Sequence, residues 1–274
     1  MEGHSLPRSE VVGQAGVRTN LRVVHALGMR SVRQTFRRPQ LMAPIVVFPT
    51  ILLAIQTGGA GSAINLPGFP PVQSFLQFML AGAMMQSLML AGNSGGIALA
   101  VDIEMGFTDR LFAAPISRYT IVLGRLAGTA ALGLFASLWF LAIGLVFGAQ
   151  IEGGVPGALL AIALVTVTAM AVGGIGAAIA LRTGSASVVQ GLFPLVLVVL
   201  FLSSAFFPVG LMIQPAQTIA EYNPFSFIVE GVREPIISGI DAGDTAEALL
   251  AIAGIVVLGL VLSARALRHR LRVG

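Results

Sequence analysis

Catalysis and metal binding draw on a few residue types, and this chain is short of most of them. It has no cysteine, so it offers no thiolate nucleophile, disulfide framework or thiolate metal site. All sixteen of its basic residues are arginine. Without lysine there is no P-loop ammonium to grip nucleotide phosphates, so the chain cannot supply a standard Walker A site. The three histidines, His4, His25 and His269, fall toward the two ends, with no carboxylate or nucleophile at an instructive spacing. No catalytic residue, metal site or cofactor of its own is expected.

Two segments remain that pattern suggests are more than connectors. In the first, Asp102 to Arg118, acids sit among arginines. Thr108 and Asp109 can start a short helix that Pro115 stops, leaving Phe107, Leu111 and Phe112 as an apolar patch beside Asp109 and Arg110. Such a patch suits the docking of a soluble partner. In the second, Phe206-Phe207-Pro208-Val209-Gly210 ends a helix, and Pro215 to Tyr222 and Pro224 to Ile236 read as two short apolar helices that dip back toward a membrane.

The elements that position these segments follow from hydropathy. With 56% hydrophobic and 10% charged residues and a mean hydropathy of +0.91, the chain has more apolar side chain than one soluble core buries. Apolar stretches of about 20 residues read as membrane helices, and the short alternating strands of a β-barrel are not found. The predicted spans are 41–57, 75–100, 120–147, 156–181, 189–208 and 246–264. The first is interrupted by Pro44 and Pro49 and followed by a small-residue run that resembles a signal-peptide cleavage region, but a forty-residue region ahead of it argues for a span.

Charge sets the orientation. Fifteen of the sixteen arginines fall in segments that are cytoplasmic if both termini are inside, whereas Gly58 to Ser74 has no charge, the next external loop has only Glu152, and the third has a single arginine, Arg233, among six acids. Between Asn20 and Arg38, Arg22, Arg30, Arg33 and Arg37 recur at near-helical spacing opposite Leu21, Val24, Leu27, Val32 and Phe36. This reads as a basic amphipathic helix on the inner membrane face, or as a charged flank that only sets topology, with Gly28 weakening the helix. Anionic lipid is the nearer partner for these arginines, and nucleic acid is set aside. The span interiors are read as free of Asp, Glu, His and Arg, which disfavours ion-coupled transport. They carry Gln86, Ser87, Asn93, Ser94, Thr166, Thr168, Ser203 and Ser204, and glycines such as Gly173, Gly174 and Gly176, which suit helix packing.

Taken in order, Glu104-x-Gly106-x-x-Asp109-Arg110-Leu111, Ala114-Pro115-Ile116-Ser117-Arg118, Gly124-Arg125, Phe207-Pro208, Tyr222-Asn223-Pro224-Phe225 and Glu230-Gly231-Val232-Arg233 resemble the type-two permeases of ATP-binding-cassette exporters, over roughly residues 20 to 265. That family includes daunorubicin-resistance permeases and polysaccharide or lipid exporters. The resemblance implies an all-α integral membrane protein: a flexible tail at 1–18, an amphipathic interfacial helix at 19–38, a six-span domain at 39–266 and a basic tail at 267–274. It implies a cytoplasmic coupling helix after span two, with Glu104, Gly106, Phe107, Asp109, Arg110, Leu111 and Pro115 against the ATPase. Short re-entrant external helices between spans five and six would bring Phe207, Pro208, Asn223 and Pro224 to an external gate. It further implies ABC ATPase subunits at the cytoplasmic face that carry ATP and Mg, a second permease copy or paralogue, a bacterial plasma-membrane location and outward transport. An apolar path without fixed charge suits an amphipathic or lipid-like substrate, such as a drug, antibiotic, lipid or glycan-lipid, and Met85, Met89, Asn93, Phe193 and Phe201 are the residues expected to face it. The rival readings are a membrane scaffold or assembly protein that transports nothing, and a secondary transporter.

Overall fold

The computed structural model describes residues 17–37, 39–106 and 118–273. Among these residues all regular structure is helical. The order is α1 (Val17–Phe36), α2 (Pro39–Ala60), α3 (Phe75–Glu104), α4 (Arg118–Val146), α5 (Gly154–Thr183), α6 (Ala186–Phe201), α7 (Ala216–Tyr222), α8 (Pro224–Ile237) and α9 (Ala242–Val273), with 3-10 turns at Gly61–Asn65 and Val209–Leu211. Five stretches are long and apolar enough to cross a membrane: Met42–Asn65, Phe75–Glu104, Leu123–Val146, Gly154–Thr183 and Ala242–Ala266. The predicted fifth span, 189–208, is instead the 16-residue α6, followed by turns. The segment Gly58 to Asn65, expected in an external loop, continues α2 as helix and 3-10 turn.

Helix α3 is the axis of the bundle. It is apolar on every side, which a helix tolerates only when surrounded, and 94% of its most apolar window is buried, against 17% for α2 and 22% for α9. Ser74 starts it, the side chain accepting from the Gln77 amide at 3.2 Å. Around it pack α2, α4, α5, α6 and α8. The lightly buried α2 and α9 leave Phe48, Ile51, Ile55, Leu250 and Val257 exposed, a surface suited to hydrocarbon rather than water.

Backbone contact holds the centre. A methyl group on Gly96 of α3 would stand 2.8 Å from Gly176 Cα of α5, and one on Gly92 would stand 2.6 Å from Val172 Cγ1. Only a hydrogen side chain permits that approach, as expected for helices that associate through packing rather than hydrophobic exclusion. The same device seats α1 on α4: a methyl on Gly124 would lie 2.6 Å from Leu27 Cβ, and Gly28 faces Ala127. Gly28 therefore allows the contact that holds α1 against the bundle, where the sequence alone suggested a helix weakened at that point. The α1 arginines Arg22, Arg33 and Arg37 stay exposed, and Ser31 donates to the Arg125 carbonyl at 3.3 Å.

Two prolines interrupt α2 without ending it. Pro49 has no N–H for the carbonyl of Ile45 four residues earlier. Ser87 of α3 supplies the missing donor, its Oγ bonding to Ile45 O at 2.5 Å. On the next carbonyl, Thr50 Oγ1 donates to Val46 O while accepting from Trp139 Nε1 at 3.0 Å. Ser87 thus satisfies the backbone group that Pro49 leaves open, as lipid-embedded helices require, while the Thr50 hydroxyl adds a bond to a neighbouring carbonyl and ties α2 to Trp139 of α4.

Candidate functional site

A cavity of about 140 Å³ lies between α3, α5, α6 and the first turn of α8. Met89 and Asn93 come from α3, Val172, Ile175, Gly176 and Ile179 from α5, Val189, Leu192, Phe193, Val196 and Val199 from α6, and Phe225 from α8. Asn93 is the one polar side chain in this lining, and no charged group reaches it. Such a surface offers dispersion contact and a single amide for orientation.

The wall formed by α6 is held at its C-terminal end by side chains from the α8 segment. Asn223 Nδ2 donates to Val199 O at 2.7 Å and Leu202 O at 3.1 Å, while its Oδ1 caps α8 by accepting from Phe225 N at 2.9 Å. Pro224 stands at the first position of α8, where a missing N–H costs nothing. Arg233 completes the clamp. Only 1% exposed, it donates from Nη2 to Ser204 O at 2.8 Å and Ala205 O at 3.2 Å, from Nε to Phe78 O at 3.3 Å, and from Nη1 to Glu230 at 2.6 Å. Its guanidinium lies 4.0 Å from the centre of the Phe78 ring. These donors take the carbonyls that would otherwise continue the helix, which accounts for α6 stopping at Phe201 rather than near 208.

The N-terminal end of α6 is held by a lighter contact. Glu104, the last residue of α3, accepts from Ala186 N at 2.8 Å, placing a carboxylate at a helix N-terminus where the peptide dipoles favour it. Gly106 follows with φ +67° and closes α3 by donating to Ile103 O at 2.9 Å. Beside it, Asp102 of α3 pairs with Arg125 of α4, with side-chain exposures of 8% and 13%.

The expectation that the spans hold no charged residue is therefore corrected. Arg125 and Asp102 lie within the apolar stretches Leu123–Val146 and Phe75–Glu104, where each neutralises the other. Arg233, counted among the external charges and expected in the short helix Pro224 to Ile236, lies in that helix and is buried because five acceptors, counting the Phe78 ring, surround it. Its signal was present in the sequence: a lone arginine among acids, in a segment otherwise apolar.

Of the residues expected on the substrate path, Met89, Asn93 and Phe193 meet at the cavity. Met85 is fully buried in the main core one turn away. Phe201 is 51% exposed and stacks on Phe206 with ring centres 4.8 Å apart. Of the external-gate residues, Asn223 and Pro224 form the clamp, Pro208 is buried beside it, and Phe207 is exposed. Glu104 and Gly106 end α3, whereas Phe107, Asp109, Arg110, Leu111 and Pro115 of the coupling segment lie outside the described residues. Sequence reasoning missed the lining residues of α5 and Phe225, whose one cue was the glycine run of α5 that brings its backbone to α3.

Residues 22–237 match the family described as ABC-2 type transporter. The chain belongs to the ABC-2 type transporter family. The matched range runs from α1 to the last residue of α8, so the cavity lining and both α6 clamps of this ABC-2 permease fall inside it. The permease is 28% identical over 246 residues to the putative transport permease ycf38 of Porphyra purpurea, covering 88% of this chain and 82% of that protein. It is 27% identical over 233 residues to the daunorubicin resistance ABC transporter permease protein DrrB1 of Streptomyces coeruleorubidus, covering 85% and 81%. A ycf38 protein of Pyropia yezoensis matches at 28% over 216 residues, covering 77% and 72%. The chain is thus a multi-pass membrane permease of a family that works with ABC ATPase subunits.

Proposed function

We propose that this permease exports an amphipathic or lipid-like substrate, a drug, antibiotic, lipid or glycan-lipid, with energy from separate ABC ATPase subunits that carry ATP and Mg. In this reading α6 is the fifth of six spans, both termini are cytoplasmic, the membrane is a bacterial plasma membrane, and two permease copies or paralogues form the path. The segment from Glu104 to Pro115 is the ATPase contact, and α7 and α8 are the re-entrant pair on the external side. The main support is the cavity, apolar apart from Asn93. Its volume is below the roughly 300–1,000 Å³ of a drug-sized site, so passage of cargo requires α6 to move away from α3 and α5. A daunorubicin-resistance relative agrees with an amphipathic cargo.

The test is co-purification with the ATPase followed by ATP turnover across a panel of lipids and amphipathic drugs. At least one compound should stimulate turnover, and Phe193→Ala and Asn93→Leu should each raise the half-stimulating concentration at least ~10-fold, equivalent to losing about 1.4 kcal/mol of contact. Glu104→Ala and Arg110→Ala should lower turnover at saturating ATP. A panel without any stimulation, or variants that respond as the parent does, would remove the reading.

A further inference from the structure

A second concavity, of about 360 Å³, lies between α5 and α9 and differs in chemistry from the central cavity. The two helices run in the same direction, with Gly259 of α9 close against Gly174 and Ile175 of α5, so their later halves flank one groove. Ala178 and Ala266, each 3% exposed, form its floor. Ile179 and Leu262 form its walls, and Arg182 and Arg265 stand at its rim. Ile179 also lines the central cavity, so this residue is common to both spaces.

Charge and shape together define the occupant. The ion pairs found among the described residues are Asp102 with Arg125 and Glu230 with Arg233, so neither rim arginine belongs to one. Among the described residues no carboxylate lines the groove. Both guanidinium groups are exposed at the end of an apolar trough, on helices whose lipid-facing sides are apolar. An ordinary topology-setting arginine needs no trough, and an apolar docking surface for protein needs no unpaired cations. A phosphate diester joined to acyl chains fits both parts: guanidinium groups bind its oxygens in bidentate fashion, and the alanine floor leaves room for chain below the headgroup. Basic pockets between membrane helices hold anionic headgroups on this physical basis.

We infer that the groove between α5 and α9 binds one anionic phospholipid, its phosphate held by Arg182 and Arg265 and its chain lying on Ala178, Leu262 and Ala266. In the proposed orientation this is an inner-leaflet lipid. Because Ile179 is common to groove and cavity, the bound lipid buttresses the α5 wall that faces α6.

The binding itself does not depend on orientation, so it is measured on the full chain in neutral detergent by native mass spectrometry, titrating phosphatidylglycerol against phosphatidylcholine. Phosphatidylglycerol should bind at one saturable site per chain. At ~1 kcal/mol per arginine, Arg182→Gln and Arg265→Gln should each weaken it about five-fold and the pair about 25-fold. Arg182→Lys with Arg265→Lys should keep part of the selectivity, binding more tightly than the double glutamine variant but more weakly than the parent, because lysine supplies the charge without the bidentate fork, and Leu262→Trp should block the site with both charges intact. The glutamine variants alter exposed side chains, so folding is not at stake, and Leu262→Trp is compared at matched thermal unfolding temperature. Equal binding of the two lipids, or selectivity that survives the double glutamine variant, overturns the site. Full competition by millimolar inorganic phosphate overturns the assignment to a lipid. Orientation is read separately with engineered thiols in this cysteine-free chain: a cysteine at the exposed Glu152 should react from outside and one at the exposed Met105 from inside, and the reverse would refute the leaflet while leaving the groove.

Discussion

Replacing Arg233 by methionine should open the junction between α6 and α8 while leaving the rest of the bundle folded. Methionine retains much of the volume, so the loss is polar. Three backbone carbonyls, Phe78 O, Ser204 O and Ala205 O, lose their donor, and Arg233 is 1% exposed, so water does not replace it. A buried acceptor left unpaired costs about 1–3 kcal/mol, and removing one member of a buried charged network costs about 3–5 kcal/mol. Part of the three-carbonyl sum returns as the turn relaxes, so about 3–5 kcal/mol is the expected loss for the junction. Glu230 behaves differently: its side chain is 39% exposed, so Glu230→Gln should cost under about 1 kcal/mol. The assay is maleimide labelling of Ser204→Cys, a buried site whose hydroxyl has no hydrogen-bond partner among the described residues. In the regime where labelling follows the open fraction, 3–5 kcal/mol corresponds to roughly 10²- to several 10³-fold faster reaction. The same background with Glu230→Gln should react within about five-fold of the parent. If Arg233→Met accelerates labelling less than ten-fold, or if the two variants match, then the clamp is the exposed ion pair rather than the carbonyls and ring, and the reasoning fails.

Three further perturbations follow from the same contacts. Ser87→Ala leaves Ile45 O without its donor and should cost about 1–3 kcal/mol, measured by thermal unfolding in detergent; adding Pro49→Ala restores an intrahelical N–H, so the double variant should be more stable than Ser87→Ala alone. Asp102→Asn uncouples the pair with Arg125 and should cost about 3 kcal/mol, whereas Asp102→Leu with Arg125→Met should recover most of it, and a double-mutant cycle without coupling would sink the pairing. Glu104→Gln keeps an acceptor but removes the charge at the start of α6, so it should cost only about 0.3–1 kcal/mol and raise proteolytic or thiol accessibility around Ala186 before any change near Ser204.

The helical architecture was legible because its signal is repeated. Five long apolar stretches stand in the sequence, and the structure forms each of them as helix. Boundaries were less legible where side chains from distant segments decide them. The predicted span 189–208 is apolar to its end, but Asn223 and Arg233 arrive from more than twenty residues away and take the carbonyls at Val199 to Ala205. No local propensity contains that contact. Pro44 and Pro49 made the first span look weak for the converse reason, since the group that repairs it, Ser87, belongs to another helix. For the site, Met89 and Phe193 were reachable from an apolar-path argument. The glycines on α5 identified a packing face but not that its other side lines a cavity. Arg233 fell in the expected short helix, but its burial was not legible, because a positive charge counted toward orientation gives no information about whether acceptors wait to bury it.

The two ends of α6 are unequal, and that inequality bears on how the cavity opens. At the C-terminal end, Asn223 makes two partly buried and Arg233 two buried hydrogen bonds to the backbone of Val199, Leu202, Ser204 and Ala205. At the N-terminal end, one exposed carboxylate bonds to one amide. Between them, Pro194 leaves α6 without a full set of intrahelical bonds. Apart from the Glu104 bond, the start of α6 is held by apolar packing, with Val189 buried against Leu99, Ile103, Ala180 and Leu181. For the α6 movement that the proposed export requires, the C-terminal clamp is the expected pivot, and the half of α6 that carries Val189, Leu192 and Phe193 is the part expected to leave Met89 and Asn93. In the proposed reading, where the ATPase contact begins at Glu104, that contact adjoins the end of α6 with the fewer hydrogen bonds, and α6 is the wall that closes the apolar cavity.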